Sequence, residues 1–547
     1  MRYLLLDIGS TFTKASLVDG EREEIVAQAM HLTTVSTDVS LGVDAALADL
    51  QQKLQAYLPA SAPLGVRFWD RALLASSAAG GLKMVAVGLG RRLTAEAATR
   101  AALGAGARVL KSYAYELSED DLAEIDRLAP DILLLAGGTN DGNRLSLLEH
   151  ARRLARLRPT FPIVYAGNQA LQDQVLDILS RFDVSLADNL MPQVNVLKAD
   201  PARRCIRQIF MDRITQAKGL DVLTQRFGKL LLPTPDAVLQ AARLLSLGTD
   251  QEPGLGNLLL ADVGGATTDI HSVGTGLPTS QTISLGHKSY ELRFEGLQEP
   301  LDKRTVEGDL GMRYSANSLL ESVGSARLQA LYPADYVQAC ARRSQEVRFL
   351  PESPDEIAID QAMAHACLAQ AIRRHVGQLR REFTGRTIYY LSGKDLSDFH
   401  TVIGTGGVLV HSPAPRAILS AVEGGGWAGG GAGAGAEAFT GDGRPNVAEA
   451  EGGTRAGRPS FAEAEGGTRA GRPSFAEAEG WARAGRPNVA EAEGGTPASL
   501  TPDDALLPRA PRYYLDQDYC LSAMGLLSQE DPNLALRMMK QCLKALN

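Results

Sequence analysis

Near the start of the chain an apolar run ends in an aspartate, and small, hydroxyl-bearing and basic residues follow at once. The stretch is DIGSTFTK, with Asp7, Gly9, Ser10, Thr11, Thr13 and Lys14. Gly9 permits a tight turn and a close approach to the backbone. Successive backbone N–H groups in such a turn make a concave anion site. Ser10, Thr11 and Thr13 add hydroxyl donors, and Lys14 adds a point charge of the kind that binds phosphate. An aspartate inside an anion-friendly turn makes sense when a hard cation such as Mg2+ lies between carboxylate and phosphate, usually through water. The same order returns in NLLLADVGGATTD, where Asp262 stands for Asp7 and Gly264, Gly265, Thr267 and Thr268 stand for the small residues. Either turn alone could be a plain strand end with a glycine turn. Two of them, one per lobe of a duplicated fold, can clamp a polyphosphate from both sides. A third element, GTGG, follows another apolar run, and its Gly404, Gly406 and Gly407 permit a flat ring or a ribose to lie close on the backbone. The chain contains no GxxxxGK[ST], and none of the three turns above reads GxGxxG, so neither a Walker loop nor a Rossmann fingerprint accounts for them.

These turns need strands beneath them. Residues 2–8 and 14–18 read as a hairpin pair, and 39–57 as a helix. DILLLAGG (131–138) reads as a buried strand running into a glycine turn, followed by a helix over 144–157 and a strand at 162–167. That alternation favours a parallel or mixed sheet in an α/β protein. Ile359, Met363, Cys367, Leu368, Ile372, Val376 and Leu379 are spaced by threes and fours and predict one long amphipathic helix. TIYYLSGKDL (387–396) reads as strand then turn, and TVIGTGGVLV (401–410) as strand, glycine turn and apolar run. Residues 518–546 read as helical, with a break at Asp531-Pro532, because the residue before proline avoids helix.

The 547 residues suit several units, and 44% hydrophobic with 22% charged residues is ordinary for a globular chain. A formal net charge of −8 argues against a nucleic-acid or anionic-membrane surface. No run is long enough for a membrane span, and Asp7 interrupts the N-terminal apolar run too early for a signal peptide; the expected compartment is the cytoplasm. The five cysteines are scattered and odd in number, and read as reduced thiols; the eight histidines lack a metal-binding pattern. From 424 to 499 there is no Leu, Ile or Met, and GRPNVAEAEGGTRA begins a tandem repeat of 14 residues. Such a stretch lacks the apolar surface to offset its ordering entropy, so the expectation is a disordered insertion, with a partner-binding repeat as the other reading.

The order of the three glycine elements resembles the superfamily of acetate and sugar kinases, heat-shock cognate chaperones and actin. The resemblance implies two ribonuclease-H-like lobes with ATP and Mg2+ in a cleft between them. It assigns the first phosphate motif to Asp7–Lys14, the second to Asp262–Asp269 and the adenosine motif to Gly404–Gly407. Asp7 and Asp262 would position the metal, and Lys14 would contact phosphate. The blocks ASSAAGGLKMVAVGL (75–89), LLLAGGTNDGN (133–143), ADNLMPQVNVLKADPAR (187–203), ADVGGATTDIHS (261–272), RTVEGDLGMR (304–313), SGKDL (392–396), IGTGGVLVH (403–411) and YYLDQDYCLSAMGLL (513–527) narrow it further. They resemble the accessory proteins of adenosylcobalamin-dependent glutamate mutase, the GlmL/MutL family, across the chain except about 424–499. That implies an ATP-dependent reactivating factor with mutase subunits as partners. It also implies lobes at 1–250 and 251–423 and a helical segment at 500–547. A small-molecule kinase on the same fold is the competing function. An activator of 2-hydroxyacyl-CoA dehydratases shares the first turn, but the cysteines do not sit in the glycine turns that its iron–sulfur cluster would favour. An actin-like polymer is the remaining possibility. AGGTNDGN reads either as a further phosphate-facing turn through Thr139 or Asn140, or as a strand-to-helix connection capped by Asn143. Glu307, Asp309 and Arg313 line either the cleft or a loop of local ion pairs. Asp269 is either a second catalytic carboxylate or a cap of its turn.

Overall fold

The strand β1 (Arg2–Ile8) is buried at every position after Arg2, as expected of a central strand covered on both faces, which reads as a continuous apolar run. It belongs to a computed structural model that describes residues 1–9, 12–34, 38–55, 68–77, 83–90, 97–98, 101–102, 108–140, 142, 144–194, 196–214, 219–228, 230–285, 287–424 and 505–546. β2 (Phe12–Asp19) runs back along β1 and sets Lys14 opposite Asp7. β3 (Glu24–Leu32) is antiparallel to β2, and β4 (Arg71–Ser76) lies parallel to β1 on its other side. The chain then departs into another sheet. It consists of β5 (Lys83–Gly88), β6 (Arg108–Ala114), β7 (Ile132–Gly137), β8 (Ile163–Gly167) and β9 (Val184–Leu186). All are parallel, in the order β6-β5-β7-β8-β9. β10 (Leu230–Pro233) returns parallel to β4 and completes the first sheet, β10-β4-β1-β2-β3.

The second half repeats the first. β11 (Leu258–Val263) and β12 (Thr268–Val273) are antiparallel, and set Asp269 opposite Asp262. β13 (Thr282–Leu285) and β14 (Lys288–Phe294) start a side sheet, and β15 (Asp302–Glu307) pairs antiparallel with β12. After the long helix Pro354–His375, β16 (Gln378–Phe383) and β17 (Thr387–Ser392) complete the side sheet, β13-β14-β17-β16. β18 (Thr401–Thr405) lies parallel to β11, and β19 (Arg512–Asp516) parallel to β18. β15-β12-β11-β18-β19 therefore matches β3-β2-β1-β4-β10 strand for strand and direction for direction. The α/β fold is two duplicated ribonuclease-H-like lobes.

The lobes meet through the helix that follows each lobe's last matched strand. Thr234–Leu247 follows β10 and Cys520–Leu527 follows β19. Ala241, Leu245, Leu521 and Met524 fill one core with Leu5 and Leu73 of the first sheet and Leu258, Leu260 and Ile403 of the second. Each such leucine gains about 1.5–3 kcal/mol on leaving water. The helices touch backbone to backbone: a Cβ on Gly525 would stand 1.9 Å from the Ala237 carbonyl oxygen.

Two elements differ from the sequence expectation. The helix expected to reach Leu379 stops at His375, with Val376 in an extended conformation. Gly377 donates to the Lys394 carbonyl, and Leu379 joins β16, so strand pairing overrides the helical spacing. The expected helical tail contains Cys520–Leu527 and Pro532–Cys542, then turns into β20 (Leu543–Leu546), which adds an antiparallel edge to β19. Among the described residues no helix is long and apolar enough to cross a membrane.

Candidate functional site

The two aspartate turns close in the same way. The Gly9 N–H donates to the Phe12 carbonyl at 3.0 Å, and the Gly264 N–H to the Thr267 carbonyl at 2.9 Å. A Cβ on Gly9 would lie 2.6 Å from that carbonyl oxygen, so a side chain there would push the turn open. Ser10 and Thr11 lie outside the described residues. Thr13 is fully buried, and its hydroxyl shares a 2.9 Å hydrogen bond with that of Thr33.

The second turn is held from behind by RTVEGDLGMR and the serine beyond it. Met312 and Arg313 donate their N–H groups to the carbonyls of Gly264 and Gly265 at 3.0 and 2.8 Å. The Ser315 hydroxyl donates to the Ala266 carbonyl at 2.7 Å. The buried Thr268 hydroxyl donates back to the Leu310 carbonyl at 2.8 Å. Arg374 joins Glu307 and Asp309, both at 2.6 Å, and Arg313 joins Asp360 at 2.8 Å. These charges are local ion pairs that stiffen the brace. Thr267 donates to Asp269 at 3.0 Å, and Asp269 accepts from Nε and Nη2 of Arg304 at 3.0 and 2.7 Å.

Asp7 and Asp262 occupy equivalent positions but different surroundings. Asp7 is buried, and its two carboxylate oxygens accept from Thr234 at 2.6 Å and Ser522 at 2.7 Å, one from each interlobe helix. Asp262 is partly exposed, and the influences on its carboxylate are burial and neighbouring charges rather than hydrogen bonds. Burial first, then the neighbouring Asp269, pushes its pKa up to about 6, against the pull of Lys14; Asp516 adds to the rise. Lys14 thus reaches across from the first lobe, and its ammonium lies 4.6 Å from the centre of the Tyr519 ring. Asp516, the end of β19, accepts from Thr405 at 3.1 Å and from the Cys520 N–H at 2.7 Å, and burial raises its pKa.

The glycines of GTGG serve distinct ends. A Cβ on Gly404 would sit 2.9 Å from the Leu419 side chain, so this glycine is there for packing. Gly406 has φ +101, and its Cβ would lie 2.4 Å from the Val263 carbonyl and 2.9 Å from Asp262 Oδ1. Gly406 therefore brings the third element against the second aspartate. Gly407 opens the short helix Gly407–Val410, and its missing Cβ faces the Tyr519 hydroxyl at 3.9 Å.

Sequence reasoning passed over Thr234, Asp516, Tyr519 and Ser522. One signal was present: YYLD (513–516) is a further apolar strand ending in aspartate, like those ending at Asp7 and Asp262. AGGTNDGN connects β7 of the inserted sheet to the helix Leu145–Leu154, as the strand-to-helix reading expects, and Asn140 bonds Gln169 and Asn189. Asp141 and Asn143 are outside the described residues, and Arg144 precedes the helix Leu145–Leu154 without a side-chain cap.

A carboxylate with a raised pKa, set among Lys14, Asp269 and Asp516, suits a cation held partly by phosphate oxygens. Among the described residues no three His, Cys, Asp or Glu side chains gather as a cation cage.

The sequence model of the MutL protein family matches residues 3–427. Protein MutL of Clostridium tetanomorphum is 40% identical over 548 residues, covering 99% of each chain. Among solved structures the chain is similar to a nucleotide-free acetone carboxylase, with 13% identity over 78% of this chain and 70% of that one and a TM-score of 0.29. It is also similar to a glycerol dehydratase reactivase, with 11% identity over 77% of this chain and 95% of that one and a TM-score of 0.30. By its match to the family model and to this relative, the chain belongs to the MutL protein family.

Proposed function

We propose that this chain binds ATP with Mg2+ between its lobes and acts as an ATP-dependent reactivating factor for an adenosylcobalamin-dependent mutase, such as glutamate (methylaspartate) mutase. In this reading the first lobe spans about 1–250 with its inserted sheet. The second spans 251–423 and is completed by strands from the C-terminal segment. The observation that carries the nucleotide reading is the matched pair of aspartate turns, with Lys14 of one lobe set beside Asp262 and Asp516 of the other. The carbonyls of Gly264, Gly265 and Ala266 are occupied by the brace, which leaves the backbone N–H groups of 265–267 as the anion-facing side of that turn. Asp262 would hold the magnesium, which supplies charge neutralisation at phosphate oxygens when bound. Lys14 would bind phosphate, and Gly406 and Gly407 would receive the nucleoside.

The mechanical part of the reading follows from where Asp7 sits. Its carboxylate joins Thr234 and Ser522 on the two interlobe helices, so a change at the first turn is felt at the lobe contact. A ligand that contacts both turns favours the closed arrangement by its differential affinity for it. A partner gripping both lobes would be strained by that closure. The mutase as partner comes from the family resemblance, since fold does not fix function.

A second reading, a small-molecule kinase, has one observation in its favour: a carboxylate with a pKa of about 6 is suited to accept a proton from a hydroxyl. One experiment separates the two. An inactivated adenosylcobalamin mutase is incubated with this chain, ATP, Mg2+ and fresh cofactor. Recovery of mutase activity that requires ATP and is lost in Asp262→Ala supports the reactivating factor. A phosphorylated sugar or acid, with no recovery, replaces it with the kinase.

A further inference from the structure

The inserted sheet has an arrangement that the interlobe cleft does not use. Counted within the insertion, its order is 2-1-3-4-5, and every strand is parallel. In open sheets of this order, ligands bind in the crevice outside the carboxyl ends of the strands, where the order reverses. Here that place lies beside Leu89 and Gly90 after β5 and Gly138–Asn140 after β7. Gly137 has φ +145, and its Cβ would stand 2.6 Å from the Leu89 side chain, so the two loops touch.

A group of carboxamides crowds this edge. Asn189 Nδ2 donates to the Gly138 carbonyl at 2.9 Å and to Asn140 Oδ1 at 2.8 Å. Asn140 Nδ2 donates to Gln169 Oε1 at 3.2 Å, and Gln169 Nε2 to Asp188 Oδ1 at 3.4 Å. Asn168, just after β8, is fully buried; its Oδ1 accepts from the Ala170 N–H, but among the described residues its Nδ2 has no partner. A buried donor without an acceptor costs about 1–3 kcal/mol, and a bound acceptor would remove that cost. The same edge bears large apolar side chains left in water. Tyr115 follows β6 and is 66% exposed, and Leu145 opens the helix after β7 at 81%. Leu186 ends β9, and Val194 and Val196 lie beyond it, all exposed. Large apolar side chains gathered around polar groups mark an interaction site.

The chemistry narrows the ligand. Carboxamides both donate and accept, and so complement other carboxamides. Among the described residues no lysine or arginine side chain hydrogen-bonds to this group, and Asp188 disfavours anions. The fitting ligand is broad, apolar on its faces and studded with uncharged amides. We propose that the carboxyl-end rim of the inserted sheet is a corrinoid-binding surface, with Asn140, Gln169 and Asn189 meeting the corrin's carboxamide arms and Tyr115, Leu145 and Val194 meeting its ring. This rests on the mutase reading for the identity of the ligand and gives the factor its own place to hold the cofactor that leaves the mutase.

The test uses the full chain without mutase and without ATP, titrated with hydroxocobalamin by equilibrium dialysis and visible absorption. One-to-one saturable binding is expected. Gln169→Leu and Leu145→Glu, both at exposed positions, should each weaken it by about tenfold or more while leaving Mg·ATP binding unchanged. The corrinoid bearing carboxylates in place of all its side-chain carboxamides should bind at least about tenfold more weakly, because a carboxylate cannot donate to the carboxamide oxygens and is repelled by Asp188. Absence of hydroxocobalamin binding, equal binding by both variants, or equal binding of the carboxylate form overturns the proposal. Because Mg·ATP binding is measured on the same protein, failure here is distinguishable from failure of the cleft.

Discussion

The turns DIGSTFTK and DVGGATTD share a closure, a register and a place in their sheets, yet their carboxylates do opposite things. Asp7 has both oxygens satisfied by hydroxyls from the interlobe helices. Asp262 is set among burial and neighbouring charges that raise its pKa to about 6. Across the hairpin, Asp7 faces Lys14, whereas Asp262 faces Asp269, which pairs with Arg304 and still raises the Asp262 pKa. Duplication supplied two copies of one turn. The surroundings tie the first to both interlobe helices and set the second among charges. Sequence pattern predicts the equivalence; only the packing shows the difference.

The largest effect should come from separating these roles by mutation. Asp262→Ala is expected to weaken Mg·ATP binding by about 100-fold, or ~2.7 kcal/mol, without lowering the melting temperature of the unliganded chain. Removing a carboxylate whose pKa is raised relieves a cost at neutral pH. Asp7→Ala should do the reverse at the level of the fold. It strips a charged acceptor from two hydroxyls at the lobe contact and should cost on the order of 2–3 kcal/mol of stability. Calorimetry of ligand binding and thermal unfolding on both variants reads the contrast. Equal unfolding temperatures for the two would erase the distinction drawn here.

Next in size is the cation shared across the cleft. Lys14→Met keeps the length of the side chain and its contact with Tyr519 while deleting the charge. Nucleotide affinity should fall by about tenfold to 100-fold, more for ATP than for adenosine, because a phosphate contact is lost and a nucleoside contact is not. An equal loss for adenosine would mean that Lys14 acts through the shape of the site.

Acidity sharpens the comparison further. A carboxyl with a raised pKa binds its proton more tightly in the folded chain than in the unfolded one. Its contribution to unliganded stability is therefore full below the ordinary carboxylate range and is lost as pH rises through about 6. Metal binding needs the ionised form, so Mg·ATP affinity should fall as pH drops below about 6, approaching tenfold per pH unit. In Asp262→Asn that slope should vanish, which a titration series between pH 5 and 8 would read, under the same principle.

The sequence carried the elements that depend on local order. The paired turns, the hairpins beneath them and the alternation in the insertion all follow from which residues are apolar and where glycine falls. What it hid depended on contacts between distant segments. Ser522 lies far along the chain from Asp7, and nothing in CLSAMGLL announces that its hydroxyl ends on the first aspartate. Thr13 and Thr268 looked like phosphate donors by type and spacing, but both hydroxyls face inward, to Thr33 and Leu310. Leu379 fell on the helical period by coincidence, and its pairing in β16 was decided by a neighbouring strand. Tyr519 carries its ring to Lys14 from a left-handed backbone conformation, φ 50, that no spacing rule points to.

The smallest effect belongs to the repeat segment, and the reason lies at its two ends. The glycine-rich stretch begins just after Glu423, and the chain is again in a defined strand by Arg512. Glu423 accepts from the Ala510 N–H at 3.2 Å and from the Tyr513 hydroxyl, so residues on either side of the segment are clipped together. β18 and β19 lie side by side in parallel register, Ile403 opposite Tyr514. Closing a loop costs entropy that grows only as the logarithm of its length, so replacing 426–503 with a short glycine-serine linker should raise stability by on the order of 1–2 kcal/mol. Mg·ATP affinity should change by less than about twofold, since the aspartate turns, Lys14 and Gly406 sit on β1, β2, β11 and β18, which all precede that stretch. Affinity and unfolding temperature, measured on the shortened chain beside the full one, check both halves. A large loss of nucleotide binding with the fold intact would show that the repeats reach the cleft, and the site would then have a third contributor besides its two unequal turns.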